Sequence, residues 1–424
     1  MPQRALPHPR VRRLWLLLAL PLIGACGAGP NLVHAAGGAG TVVIGAELPL
    51  SGSDPGAGLA AEDGIRFALR QQGTIDGFSL RLQALDDAVN AQADPQKGVL
   101  DVYQMAANPN LVAVIGPMSS ALAQAEIPAA NPSHLALVSP LAAAECLTQS
   151  LAYCLSDYGY TPSLLRPDGQ NNFFRISAPQ NLQGSAMADF AHATLHLRRV
   201  AVWNDQEPYG QMLASSFGTE FQRQGGSVVS SQSFNPSAKP DLSALAATAR
   251  GLGAQAIYLG VAADAYCAGA GADGLDLMGP SSIADSTCLR AAGPSASGHL
   301  FASLGYEDPS QLASAKGLVS AYRSQYPDPA DLGPYTFAAY DATGLVLTAV
   351  ARAIRSDAGR MPSRAQVLAQ IAATRDYPAL AGAISLNSQG DPNPARLQIV
   401  EARSRPGQPL SWSFDQQLEL SLQG

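Results

Sequence analysis

The stretch LVAVIGPMSSALAQAEIPA, Leu111 to Ala129, has the pattern of a strand, a turn and a helix in direct succession. Its aliphatic and β-branched start is typical of a buried strand, and Gly116-Pro117 ends that run. Ser119 and Ser120 precede the helical segment and are of a residue type that caps helix N-termini. The stretch therefore predicts one strand–helix unit of an α/β protein, with two hydroxyl groups at the junction.

The same order of strand and helix recurs along the chain. Strand patterns separated by helical segments are TVVIGAELPL (41–50), SLRLQALDD (79–87), RRVAVWN (198–204), SVVSSQSF (227–234) and AQAIYLG (254–260). Alternation at these lengths predicts doubly wound parallel sheets, and 424 residues are enough for two lobes. Between Pro140 and Phe173 the alternation of strands and helices stops. We interpret this part as an irregular excursion from the fold that is held by a disulfide.

The N-terminus predicts export. Four arginines precede the apolar run LWLLLALPLIGA (14–25), which is too short to span a membrane comfortably and is typical of a signal peptide over residues 1–25. Its end, IGAC, resembles the lipobox of bacterial lipoproteins, so Cys26 is the expected lipidation site. Ordinary signal cleavage beside an incidental cysteine is the alternative. Residues 26–40, rich in glycine and alanine, fit a flexible tether to a membrane surface.

The net charge and the cysteine count restrict which partners, disulfides and metal sites are expected. Loss of four arginines with the signal peptide changes the formal net charge from −7 to −11, which argues against nucleic acid as a partner. With Cys26 lipidated, four cysteines remain, and an even number in an exported chain suggests disulfides. Three pairings are possible, and the local one, Cys146 with Cys154 and Cys267 with Cys288, closes the shortest loops. No histidine or further cysteine lies at ligand spacing, so a metal site is not expected.

The sequence has no recognisable catalytic frame. Ser119 and Ser120 lack the G-x-S-x-G and S-x-x-K patterns of serine nucleophiles, and the six histidines stand in no motif that supplies a base. A P-loop and a G-x-G-x-x-G turn after a strand are also missing, so no cofactor is expected. The two serines instead follow a strand at the carboxyl edge of a parallel sheet, where a helix N-terminus favours a bound anion. This position predicts hydrogen-bond donors for the negative charge of a ligand.

Nine segments in order resemble the periplasmic branched-chain amino-acid-binding proteins, the Leu/Ile/Val-binding family of bacterial ABC importers. They include IGAELPLSG, VAVIGPMSSA, FFRISAPQNLQG, VAVWNDQEPYGQ and LMGPSSIADS, and they extend over nearly the whole mature chain. The resemblance implies a type I periplasmic-binding-protein fold, in which two doubly wound α/β lobes are joined by three crossovers and close on the ligand. Mapped onto this chain, lobe 1 takes residues 41–178 with 306–382, and lobe 2 takes residues 179–305 with 383–424.

The resemblance also implies which residues of lobe 1 contact the ligand. In that family, a serine after the third strand and polar and backbone groups after an SP turn hold the ligand carboxylate. The matching positions are Ser119, Ser120, Leu141, Ala142 and Ala143. Ala143 stands where the family often has a threonine, so only backbone N–H groups can act at that position.

In lobe 2 the family supplies a tyrosine from a YG motif, which matches Tyr209 in EPYGQ. Family members that bind amino acids hold the ammonium group with an acid just after a GP pair, where this chain has Ser281. Asp285 and Asp264 are the nearby acids that can replace it, although neither matches the motif. A buried ammonium without a carboxylate loses a contact worth about 1.5–3 kcal/mol. Other small carboxylates, amides and short peptides therefore stay candidate ligands beside amino acids.

These features together predict a lipid-anchored, extracytoplasmic solute-binding protein. It is expected to deliver a small carboxylate-bearing ligand, an amino acid first, to an ABC permease, and to act by binding rather than as an enzyme. Two alternatives stay open. One is a sensor of the same fold that reports its ligand to a membrane receptor, and the other is a serine hydrolase acting through Ser119.

Overall fold

The computed structural model describes residues 40–51, 55–90, 92–235, 242–261, 267, 274–284, 286–306, 308, 312–326 and 333–421. Several sequence predictions lie outside these residues: the signal peptide, lipidation at Cys26, and the acids Asp264 and Asp285. The tether predicted over residues 26–40 is described only at Gly40, which begins the first strand.

The strands in the described ranges are as follows. They are β1 (Gly40–Leu48), β2 (Thr74–Ile75), β3 (Phe78–Asp86), β4 (Ala88–Val89), β5 (Gln92–Ala93), β6 (Leu111–Ile115), β7 (Ala136–Ser139), β8 (Phe173–Arg175), β9 (Arg199–Asn204), β10 (Ser227–Ser233), β11 (Ala256–Gly260), β12 (Asp276–Gly279), β13 (Leu300–Leu304), β14 (Tyr377–Ala379), β15 (Gly382–Ile384), β16 (Ala395–Arg403) and β17 (Ser411–Leu420).

The α-helices begin and end at the following residues. They are α1 (Pro55–Gln72), α2 (Pro95–Ala106), α3 (Ser120–Ala130), α4 (Asn181–Asp189), α5 (Pro208–Arg223), α6 (Leu242–Gly251), α7 (Ser286–Ala292), α8 (Lys316–Gln325), α9 (Pro334–Ser356) and α10 (Arg364–Ala372). Asp94 caps α2, because its carboxylate accepts from the N–H groups of Gln96 and Lys97, and Pro95 occupies the first turn.

Two large sheets organise these elements. The first has the strand order β2-β3-β1-β6-β7-β8, and its pairs are parallel except for β2 with β3. The second has the order β10-β9-β11-β12-β13-β16-β17, and its last two strands are antiparallel additions to a parallel sheet. The predicted doubly wound parallel sheets are present, and this edge adds two antiparallel strands that the sequence pattern did not indicate. The chain returns to this sheet at β16, antiparallel to β13, and then folds back as β17 in a hairpin.

The chain crosses between the two sheets three times. It leaves the first sheet after β8, returns after β13 to place α8, α9 and α10 on the core of the first sheet, and leaves again after β15 to form β16 and β17. Each large sheet has a hydrophobic cluster on both faces. The predicted architecture of two α/β lobes with three crossovers is confirmed, while the residue boundaries given for the lobes stay a prediction.

Both local disulfides are present. Cys146 pairs with Cys154 at a Cα–Cα distance of 5.5 Å, and Cys267 pairs with Cys288 at 5.1 Å. The first pair lies in the irregular segment between β7 and β8, and both of its cysteines are buried in the core on that side of the sheet. The disulfide therefore fixes the excursion to the core of the first lobe.

Helix α9 is the apolar helix of the first lobe. By length and composition, Tyr335–Ser356 is able to cross a membrane, but 72% of its most apolar window is buried inside the protein. Ala338, Val346 and Val350 belong to the same core cluster as Ile65 of α1. Its apolar surface is therefore used against the core.

Candidate functional site

Ser119 and Ser120 both act within the turn where the first sheet meets α3. β6 ends at Ile115, and the Ser119 Oγ accepts a hydrogen bond from the Leu122 N–H at 3.2 Å, as a helix cap. The Ser120 Oγ accepts from the Ala144 N–H at 3.0 Å. The two hydroxyl groups thus hold α3 and the turn after β7 in one arrangement.

The turn after β7 is organised by Ser139. Its Oγ accepts from the N–H groups of Leu141 at 3.3 Å and Ala142 at 2.8 Å, and it donates to the Pro117 carbonyl oxygen at 2.6 Å. The Ala143 N–H has no hydrogen-bond partner among the residues that the structure describes. Of the three predicted turn positions, Ala143 is therefore the one with an N–H open to a ligand.

A cavity of about 400 Å³ lies beyond the carboxyl ends of β7, β8, β12 and β13. Its lining comes from both lobes and comprises Leu141, Ala143, Ser177, Gln183, Tyr209, Ser281, Ser282, Ala284, Leu304, Gly305, Tyr306 and Tyr335. Of the predicted site residues, Leu141, Ala143, Tyr209 and Ser281 are brought together here. Ser119, Ser120 and Ala142 are not in the lining, and Asp285 lies outside the described residues.

Tyr209 is placed in the cavity by the start of α5. Pro208 begins the helix, and Gly210 follows because a Cβ there would lie 2.1 Å from Asp205 Oδ1 and 2.4 Å from the Gly260 carbonyl oxygen. Burial raises the pKa of the Tyr209 hydroxyl to about 12. The phenol is therefore a neutral hydrogen-bond donor at physiological pH.

Ser177 is a lining residue that the sequence analysis missed. Its side chain is 2% exposed, and its Oγ has no hydrogen-bond partner in the described parts of the chain. Leaving such a buried group unpaired costs about 1–3 kcal/mol. Its signal was available, because Ser177 follows the carboxyl end of β8 just as Ser119 follows β6. A hydroxyl in this position needs a ligand or a water molecule to complete it.

Gln183 of α4 is another lining residue that was missed, and it contacts Ser281, which stands where the family's acid was expected. Its side chain is 2% exposed, and its Oε1 accepts from the Ser281 N–H at 2.9 Å. The adjacent Ser282 Oγ donates to the Val261 carbonyl oxygen at 2.6 Å. These bonds fix the loop after β12 and leave amide and hydroxyl groups at the cavity wall.

Carboxyl groups stand behind the lining rather than in it, among the described residues. The Tyr306 Oη donates to Asp341 Oδ2 at 2.8 Å, and burial raises the pKa of Asp341 to about 7. Glu145 is fully buried, and its Oε1 accepts from the Tyr153 Oη at 3.1 Å. Burial likewise raises the pKa of Glu145. The described wall thus offers neutral donors, acceptors and aromatic rings.

This arrangement supports binding rather than bond making. The hydroxyl groups of Ser119 and Ser120 accept from backbone N–H groups and have no histidine partner among the described residues. Across the same residues, no group of three or more His, Cys, Asp or Glu side chains is arranged to hold a metal ion.

Comparison with known proteins identifies the family. A family model described as periplasmic binding protein matches residues 41–406. Leu/Ile/Val-binding protein homolog 3 of Brucella melitensis biotype 1 is 25% identical over 335 residues, which is 74% of this chain and 80% of that protein.

Two solved structures share the fold. The leucine-binding protein LivK of Thermotoga maritima MSB8 is 22% identical with a TM-score of 0.66, over 89% of this chain and 99% of that one. An ABC transporter solute-binding protein of Rhodopseudomonas palustris HaA2, in complex with p-hydroxybenzoic acid, is 16% identical with a TM-score of 0.69, over 90% and 98%. As its resemblance to the Leu/Ile/Val-binding proteins predicts, the chain belongs to the periplasmic binding proteins, the non-enzymatic, extracytoplasmic solute-binding proteins of ABC transporters.

Proposed function

We propose that this protein is a lipid-anchored solute-binding component that delivers a small carboxylate, an amino acid first, to an ABC importer. One observation carries the ligand proposal: two donors without a partner in the described ranges, the Ala143 N–H and the buried Ser177 Oγ, line the same cavity. Donors that lack an internal partner are preorganised for an acceptor supplied from outside.

A carboxylate suits these donors because it accepts several hydrogen bonds. Each hydrogen bond to a charged group contributes about 1.5–3 kcal/mol of stabilisation. The Tyr209 hydroxyl is a third donor, from the other lobe, since its phenol stays protonated at physiological pH. A ligand held from both lobes stabilises the closed arrangement of the lobes.

The partner for an ammonium group is proposed to come from Asp285 or Asp264, because Ser281 occupies the position where the family has an acid. The name of the Brucella relative, a Leu/Ile/Val-binding protein homolog, favours a branched-chain amino acid as ligand. A second candidate is an aromatic carboxylate. Tyr209, Tyr306 and Tyr335 bring three rings to the cavity, and the Rhodopseudomonas structure contains p-hydroxybenzoic acid.

Thermal denaturation of the purified mature protein with a solute panel tests the proposal. Leucine, isoleucine, valine, phenylalanine, benzoate and 4-hydroxybenzoate are compared, with leucinamide as the matched control that lacks a carboxylate. A ligand at 100 times its Kd stabilises the folded protein by about 2.7 kcal/mol, so the true ligand class raises Tm clearly. The proposal is overturned if no solute of the panel raises Tm, or if leucinamide raises it as much as leucine does.

A further inference from the structure

A group of buried acids lies beneath the carboxyl edge of the first sheet. Glu47 lies near the end of β1, Asp87 follows β3 and Glu126 lies in α3, and all three side chains are 0% exposed. Asp101 of α2 is 3% exposed, and its negative charge disfavours the ionised form of both glutamates. Four elements of one lobe therefore bring acids together in the protein interior.

The carboxyl oxygens of Glu47, Asp87 and Glu126 have no hydrogen-bond donor from the described chain. An ionised carboxylate buried without a partner costs several kcal/mol, whereas the protonated form costs far less. The Glu47 and Glu126 carboxyl groups act on each other. Two carboxyl groups hydrogen-bond to each other only when at least one carries a proton.

Lys97, the cation beside these acids, already has hydrogen-bond partners. Lys97 Nζ donates to Asp101 Oδ1 at 2.6 Å and to the Asp86 carbonyl oxygen at 2.9 Å. Its charge lowers the pKa of Asp87, but the Asp86 and Asp101 charges oppose that effect. One lysine at the rim therefore leaves the inner acids without full charge compensation.

Helix α2 closes the cluster from the side of α3. A Cβ on Gly98 would lie 2.4 Å from Glu126 Oε1, so the glycine allows the helix backbone to contact this carboxyl group directly. Such contact keeps Glu126 in the interior. Its carboxyl group gains neither a donor nor solvent from that side.

We infer that Glu47, Glu126 and Asp87 form a buried proton-binding cluster whose ionisation as pH rises destabilises the lobe that carries Ser119 and Ser120. In the neutral range a proton shared by the two glutamates satisfies both. Glu126 lies in the same helix that Ser119 caps, so loss of that proton acts on the helix and the sheet edge beneath the ligand cavity.

The pH dependence follows from the direction of each shift. Burial, followed by the neighbouring carboxylates, raises the pKa of Glu47. Burial is also the main cause that raises the pKa of Glu126, and it raises that of Asp87 to about 6. The folded state thus binds these protons more tightly than the unfolded chain, whose carboxyl groups titrate near about 4. Their contribution to stability is complete below that value and is lost as pH rises through the folded pKa values.

Urea denaturation between pH 5 and pH 9 tests the inference on the mature protein. Wild type is compared with Glu47→Gln and Glu126→Gln, and with Glu62→Gln, which removes a carboxylate from a surface pair with Arg66 in the same lobe. The midpoint of wild type should fall as pH rises. The midpoint of each cluster variant should fall less steeply with pH than that of wild type. Relative to wild type, each variant should therefore be more stable at pH 9 than it is at pH 5. Glu62→Gln should run parallel to wild type.

Infrared spectra in D₂O supply a second measurement, and the wild-type spectrum does not depend on how the variants fold. Wild type should show absorption by protonated carboxyl groups at pH 7, and Glu126→Gln should show less of it. The inference is overturned if wild type lacks this absorption at pH 7. It is equally overturned if the cluster variants fold and their pH profiles run parallel to wild type.

Discussion

The Arg175 Nε donates to Asp391 Oδ1 at 2.7 Å, and neither side chain has exposed surface. The same guanidinium donates to the carbonyl oxygens of Ala142 at 3.2 Å and Ala144 at 2.8 Å, on either side of Ala143. Asp391 lies between β15 and β16, where the chain crosses to the second sheet. This ion pair therefore connects the turn at the cavity to a crossover between the lobes.

Asp391→Asn should lower the free energy of unfolding by about 3–5 kcal/mol, because Arg175 keeps its charge in the interior without a counter-ion. Urea denaturation at pH 7 measures the loss. The control is Arg355→Gln, which breaks an ion pair with Asp76 whose side chains are 60% and 37% exposed. It should change stability by less than about 0.5 kcal/mol. Equal losses in the two variants would contradict a special role for the buried pair.

Ser177→Ala should weaken binding of the carboxylate ligand about tenfold, the equivalent of one hydrogen bond of about 1.4 kcal/mol. The variant without ligand should be as stable as wild type or more so, because a buried unpaired hydroxyl is removed. Calorimetric titration gives the Kd and thermal denaturation gives the stability. Exposed Ser227→Ala serves as the control for the substitution itself. Unchanged affinity together with lower stability would assign Ser177 a structural role instead.

Gly210→Ala should lower stability by about 1–3 kcal/mol, because the new Cβ has to displace Asp205 Oδ1 and the backbone at Gly260. The start of α5 then shifts, and Tyr209 with it, so ligand affinity should fall as well. Gly218→Ala in the same helix is the matched control, since its nearest neighbour would be 3.8 Å away. Alanine should stabilise that position by up to about 1 kcal/mol. A Gly210→Ala variant as stable as Gly218→Ala would contradict the packing described for this helix.

Cys26→Ser should release the protein from the membrane, because lipidation requires the cysteine thiol. Fractionation of cells that express each form, followed by mass spectrometry of the N-terminus, measures the outcome. Cys146→Ser, which affects an internal disulfide, should leave the remaining folded protein in the membrane fraction. A Cys26→Ser protein that stays with the membrane, or an unmodified Cys26 in wild type, would contradict the lipid anchor.

Sequence pattern predicted the parts of the fold that follow from local physics. Strand–helix alternation predicted the two lobes. The sequence left three cysteine pairings open, and the one that closes the shortest loops, Cys146–Cys154 with Cys267–Cys288, is the one present. The antiparallel pair β16–β17 was missed. Most of β16 is buried and most of β17 is half-buried, so neither strand has the clear alternation that marks a strand exposed on one face.

The site was predictable only where a motif marks it. Tyr209 and Ser281 were found through the resemblance, and the structure brings them to the cavity with Leu141 and Ala143. The position of Ser177 after β8 was open to prediction from the sequence, but the lack of a partner for its hydroxyl among the described residues is visible only after folding. The buried cluster around Glu47 was missed for a similar reason, since four acids far apart in the chain meet only after folding.

A crystal structure of the mature protein with the solute that raises Tm most shows directly whether the cavity binds a carboxylate. We expect one molecule in the cavity, with carboxylate oxygens about 2.7–3.2 Å from the Ala143 nitrogen and the Ser177 Oγ. It also predicts contact with Tyr209 from the second lobe. A ligand whose carboxylate binds elsewhere, with the Ser177 hydroxyl still unpaired, would contradict it.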